Sequence, residues 1–100
     1  MTMTAYCLFQ NLEITDMDKM QEYATTVEPI THAFKGQYVT KAGQVDVKEG
    51  DWAPTYPVII KFPSMADAQA WYASDDYAPL KALRKSAGTF SAVFIEGNTE

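Results

Sequence analysis

A chain of 100 residues with 8 Lys and Arg against 13 Asp and Glu, net charge −5, has the size of one small domain and lacks the basic surface that nucleic acid requires. At 47% apolar and 21% charged residues it is too hydrophobic for a disordered tail, and its 13% aromatic content supplies bulky core or pocket material. One Cys excludes an internal disulfide and fits a reducing cytoplasm, and one His excludes a site in this chain that needs two.

The start, Met1 to Leu12, lacks the basic region of a signal peptide, and no stretch approaches the roughly 18 apolar residues of a membrane span. Neither membrane nor nucleic acid is an expected partner. Residues 1–100 read as a single domain, with Gly97-Asn98-Thr99-Glu100 as a frayed end.

Residues 4–12 are aromatic and aliphatic without helical period and predict a first strand. Thr15 with Asp18 three residues on is a capping pattern that opens a helix. Met20, Ala24, Val27, Thr31 and Phe34 form its apolar stripe, Pro29 falls on the opposite side, and Gly36 closes it. Gln37 to Lys41 predicts a second strand turned at Ala42-Gly43, and Val45 to Lys48 a short return strand. After the turn-rich Glu49-Gly50-Asp51-Trp52-Ala53-Pro54, residues Tyr56 to Phe62 predict the third main strand, stopped by Pro63. Ser64 and Asp67 cap another helix bearing Met65, Ala68, Trp71 and Tyr72. Ser74-Asp75-Asp76 breaks it before a further helical piece with Tyr77, Leu80, Leu83 and Ala87, in whose first turn Pro79 must lie. Thr89 to Glu96 is the last strand. The order β-α-β-β-α-β implies an α+β, ferredoxin-like sandwich, a mainly antiparallel sheet with the helices on one face.

Val58, Ile59 and Ile60 in succession, and Ala92 through Ile95, are apolar toward both faces of their strands. Helices cover only one face. A second copy packed sheet to sheet would cover the other, so a homodimer is expected.

Phe34-Lys35-Gly36-Gln37-Tyr38, Glu49-Gly50-Asp51-Trp52, Ile60-Lys61-Phe62-Pro63-Ser64, Ala70-Trp71-Tyr72 and Asp76-Tyr77, in that order, resemble domain-of-unknown-function family 1330. The resemblance implies a dimeric α+β barrel of ferredoxin-like subunits with an uncharacterised activity. Its wider superfamily includes cofactor-free monooxygenases, isomerases and cyclases, haem proteins and simple ligand binders, which directs attention to a small-molecule cleft. The chain departs from the family pattern where Lys35 replaces the first Gly of a Gly-Gly pair, where Ala42 does so in a second pair, at Gln37 (often Arg) and at Lys61 (commonly a carboxylate). The resemblance assigns no catalytic residue.

His32, the single histidine, is a candidate general base or metal ligand by residue type, but it lies about 100° or more from the apolar stripe and is expected at the solvent or subunit edge. Arg84, beside the Tyr77, Leu80 and Ala87 stripe, needs a planar anion. An internal Asp or Glu is the first expectation and a substrate carboxylate the alternative. The Tyr38 hydroxyl can donate to an oxyanion or simply pack. Trp52, on the long loop, either lines a site or plugs a dimer seam. Trp71 and Tyr72 are adjacent on a helix, so only one can point squarely inward. Lys61 is read as snorkelling to water and Cys7 as a small buried hydrophobe.

Metal-ligand spacing, phosphate-binding glycine loops and cofactor motifs are missing from the sequence, so neither metal nor cofactor is expected. The leading functional expectation is a cytoplasmic homodimer that binds a small aromatic or carboxylated metabolite between sheet and helices, lined by Tyr38, Trp52, Tyr72 and Arg84. Catalysis, if present, would be cofactor-free. The alternative is a non-catalytic binding or interaction module in which the aromatics only pack.

Overall fold

A computed structural model describes residues 3–98. The elements run β1 (Ala5–Ile14), α1 (Met17–Ala33), β2 (Gln37–Lys41), β3 (Val58–Phe62), α2 (Met65–Tyr72), α3 (Ala78–Ser86) and β4 (Gly88–Glu96). The sheet order is β2-β3-β1-β4 and every pairing is antiparallel. With the helices on one face, this is the expected ferredoxin-like α+β arrangement, its second helix divided at Ser74.

Period-two alternation along β1 sends Ala5, Cys7 and Phe9 into the core and leaves Tyr6 on the helix-free face. Ile60 and Phe62 of β3 join them, with Ala68 and Trp71 of α2 and Tyr77 and Leu80 packed above. Trp71 is fully buried. Its ring lies 4.4 Å from that of Tyr77, 5.3 Å from Phe62 and 6.0 Å from Phe9, between ring centroids. Tyr72, the next residue, is half-buried, so Trp71 takes the inward position.

The ends of α1 correct the sequence reading in detail. Asp16, not Thr15, is the N-cap, its Oδ1 accepting from Lys19 N at 3.1 Å, while Thr15 N–H instead donates to Ala87 O. At the other end Lys35 N–H donates to His32 O at 3.0 Å and Gly36 N–H to Thr31 O at 2.8 Å, a Schellman closure. The left-handed residue of that closure is Lys35, with φ 74°, so the position where the family often has Gly is the strained one. Gly36 is required for a different reason: a Cβ there would come within 2.5 Å of Thr31 Cγ2 and 2.8 Å of Phe62 Cζ. Pro29 is exposed, as its helix position predicts. Ser64 caps α2 in the expected way, accepting from Asp67 N at 3.1 Å and donating to Asp67 Oδ2 at 2.9 Å. Pro79 sits in the first turn of α3.

Val45 to Lys48 is not a strand. It is irregular and exposed: left-handed Ala42, whose N–H donates to Pro57 O, ends β2 without returning the chain along the free edge of that strand. The third strand starts only at Val58, after Pro57, which has no N–H to donate. Gly97 N–H is tied to Thr4 O at 2.6 Å; Thr99 and Glu100 of the anticipated frayed end lie outside the described residues.

The helices do not cover the sheet evenly. The helices α2 and α3 rest on the strands, whereas α1 leans mainly on α3. The space left between α1 and the sheet forms a cleft.

Candidate functional site

The cleft holds about 210 Å³. Phe9, Val58 and Ile60 form its floor, and Met20, Tyr23, Ala24 and Val27 of α1 its roof. Strand register fixes its direction. Ala92, Phe9, Val58 and Lys41 face one another in one row across the sheet, and Phe94, Cys7, Ile60 and Tyr38 in the next. The cleft therefore crosses the strands, from Arg84 above Phe9 to Tyr38 and Lys41 on the edge strand. Phe9 and Lys41 lie two strand spacings apart, roughly 10 Å.

A bulge builds the edge pole. Simple alternation would put Tyr38 and Lys41 on opposite faces, since they are three residues apart. The register shifts between Tyr38 and Thr40, and both side chains reach the cleft, with Lys41 Nζ 4.8 Å above the Tyr38 ring. Lys41 Nζ donates to Glu28 Oε2 at 2.8 Å, and His32 Nε2 lies 3.6 Å from Glu28 Oε1. Lys41, more than His32, holds the Glu28 carboxyl below the usual carboxylate range. The Tyr38 hydroxyl lies 3.1 Å from Thr31 Oγ1, and Thr31 itself donates to Val27 O at 3.0 Å. The Thr31 proton being committed to Val27, the Tyr38 proton goes to Thr31. Tyr38 consequently offers the cleft an acceptor, not the donor that oxyanion stabilisation would need.

The opposite pole is the reverse. Arg84 is buried, with 5% of its surface exposed, and its guanidinium carbon stands 5.4 Å from the ring centres of both Phe9 and Phe90. Among the described residues no carboxylate lies within ion-pairing distance of it, and Nε has no hydrogen-bond partner. The internal salt bridge expected from sequence is absent there. Glu28, the carboxylate that lines the cleft, stands at the far pole beside Lys41, and Asp75 and Asp76, just before α3, are exposed, away from the inward stripe that carries Leu80 and Arg84. Beside Arg84 the Tyr23 and Tyr77 hydroxyls share a hydrogen bond of 2.9 Å. Burial pushes both phenols up in pKa, so they stay protonated, and two hydroxyls sharing one bond leave one proton for a guest. This pole donates, and it carries an uncompensated positive charge.

Of the anticipated lining residues, Tyr38 and Arg84 are brought together on the cleft. Tyr72 is not; it lines a separate hollow behind Arg84, under Lys81 Nζ at 4.1 Å. Trp52 is not either, being 61% exposed on the loop. His32 is at the outer rim as its helix angle predicted, its Nδ1 3.0 Å from Gly36 O and its ring against Tyr38. Lys61 is exposed, and Cys7 is buried with its thiol pushed up to about 12 by desolvation. Sequence reasoning missed Tyr23, although Met20, Tyr23, Ala24 and Val27 follow the i, i+3, i+4, i+7 rule. It also missed Lys41 and Glu28, for which only the bulge would have been a signal. Among the described residues no three His, Cys, Asp or Glu side chains converge as a metal centre would need, and no helix is long and apolar enough to cross a membrane.

The model of the family described as Domain of unknown function (DUF1330) matches residues 4–98. The chain belongs to this family. The DUF1330 fold of this chain is similar to the crystal structure of a protein of unknown function from Rhodopseudomonas palustris, with a TM-score of 0.75 at 13% identity, over 100% of this chain and 86% of that one. A conserved protein from Methanosarcina mazei matches with a TM-score of 0.57 at 9% identity, over 97% and 95% of the two chains. A putative antibiotic biosynthesis monooxygenase from Nitrosomonas europaea matches with a TM-score of 0.53 at 13% identity, over 97% and 91%. At these identities the likeness is one of fold. No curated protein matches the sequence significantly.

Proposed function

We propose that this DUF1330 protein binds a small organic carboxylate in the cleft, with Arg84 as the anion anchor. One observation carries the reading: a guanidinium buried between two phenyl rings, lacking a counter-charge among the described residues and lining a cavity. A charge so placed costs several kcal/mol unless an anion meets it. A planar carboxylate can meet it with paired hydrogen bonds, and Tyr23 can add another. The apolar floor suits an aromatic or aliphatic body, and the volume is below that of sites for drug-sized ligands. A purely structural interaction module gives Arg84 no such partner.

The working unit in this proposal is a homodimer in the cytoplasm. Tyr6, Val93 and Ile95 stand exposed together on the helix-free face, where register also aligns Leu8 and Ile59, and a second copy would cover them. The free thiol of Cys7 fits a reducing compartment.

Calorimetric titration with 3-phenylpropionate tests the anchor. Wild type should bind it, and Arg84→Met should weaken binding about tenfold or more, the value of a charge-assisted hydrogen bond. Equal affinity in both proteins contradicts the reading.

A second reading, cofactor-free chemistry of the monooxygenase, isomerase or cyclase type, is favoured by the Tyr23–Tyr77 hydroxyl pair beside Arg84, donors suited to the oxygen of an enolate. Solvent-deuterium exchange at the carbon next to the bound carboxyl, followed by NMR, separates it from simple binding. Exchange above the protein-free rate supports chemistry, and none opposes it.

A further inference from the structure

We infer that the ligand carries, besides its carboxylate, a hydroxyl at the far end of an apolar body, which donates its one proton to Tyr38 or to Glu28. The inference rests on the carboxylate reading of Arg84 and names the class of acid the cleft selects. The argument is one of opposite polarity at the two ends of one cleft. At the Arg84 end Arg84 and Tyr23 can donate, while Asn11, which also lines the cavity, has its amide nitrogen bonded to Tyr56 O. At the edge-strand end the Tyr38 proton is held by Thr31, so its oxygen faces the cavity as an acceptor. Glu28, also lining the cavity, takes one short hydrogen bond from Lys41, and an ionised carboxylate has room for more. Charge defines the end group further. Glu28 and Lys41 offset each other at this pole, so a second ligand carboxylate would face Glu28, whereas a neutral hydroxyl finds acceptors without displacing Lys41. Between the poles Phe9, Val58, Ile60, Ala24 and Val27 offer only apolar surface. The distance to span, roughly two strand spacings or about 10 Å, suits a ring with a short carboxylic side chain and a hydroxyl opposite it.

The test is a matched set of probes: 3-phenylpropionate, 3-(4-hydroxyphenyl)propionate and 3-(4-methoxyphenyl)propionate, titrated calorimetrically into wild type, Tyr38→Phe, Glu28→Met and the double variant. The hydroxy acid should bind wild type about tenfold tighter than the unsubstituted acid, as a hydrogen bond to a charged acceptor allows. The methoxy acid, an acceptor without a proton to give, should show no gain. The tenfold advantage, taken in each protein as the ratio of affinities for the hydroxy and the unsubstituted acid, should shrink in each single variant and vanish in the double one. Equal affinity for hydroxy and unsubstituted acids, or an advantage that survives the double variant, overturns the distal-hydroxyl inference and leaves the Arg84 anchor standing. Failure of all three acids to bind, or their equal binding to Arg84→Met, overturns the anchor and this inference with it.

Discussion

The same strands present two different faces. On the covered face Ala5, Cys7, Phe9, Ile60 and Phe62 disappear beneath α2 and α3, and rings close around Trp71. One residue along, on the open face, Tyr6, Val93 and Ile95 remain 38%, 50% and 52% exposed. Both faces are apolar, so hydrophobicity alone does not separate them; what differs is whether this chain supplies the cover. The covered face adds an exception of the opposite kind, a buried cation with no carboxylate partner among the described residues. In the proposed account each face is completed from outside the chain, by an apolar surface on one side and an anion on the other.

The sharpest break in the comparison lies in the covered core. Trp71→Ala should cost about 3–5 kcal/mol, since the ring fills the space between Phe9, Phe62 and Tyr77. At about 4–8 °C per kcal/mol for a domain of this size, a thermal melt followed by circular dichroism should shift down by about 12 °C or more. A smaller shift would mean that the rings repack. On the open face, Ile95→Glu should leave the fold within about 0.5 kcal/mol of wild type. It should also halve the mass seen by light scattering, from two chains to one. A wild type that elutes as a single chain, or an unchanged dimer in the variant, removes the open face from the account.

The smallest effect concerns a residue on neither face. Lys35→Gly should raise stability by about 1 kcal/mol by relieving its left-handed backbone. The ion pair it gives up, Lys35 Nζ to Asp67 at 3.7 Å, is exposed and of little consequence. A melt unchanged or lowered in this variant would contradict that strain.

The contrast between the faces also marks what the sequence discloses. The apolar runs of β3 and β4 announced a two-sided sheet, and capping residues located α2 closely. An alternating pattern does not by itself return the chain to a free strand edge, which is why Val45 and Val47 misled. The site was half legible. Arg84 and Tyr38 are conspicuous by type, an arginine beside an apolar stripe and a tyrosine after a glycine. Lys41 and Glu28 were hidden because a single bulge reverses the face on which Lys41 lies, and no residue type signals that bulge. The polarity of Tyr38 was hidden too, since it depends on where Thr31 sends its proton. Trp52 and Tyr72 looked suited to a pocket, but aromatic character says nothing of direction.

The most direct measurement is the unfolding free energy of Arg84→Met without ligand, set beside wild type in urea. Met keeps the apolar stem and removes the charge. If the counter-charge of Arg84 comes only from a ligand, the variant will be as stable as wild type or more stable, by up to about 1–4 kcal/mol, as when buried charges give way to apolar side chains. A loss of about 3–5 kcal/mol, the mark of a broken internal pair, would contradict the account.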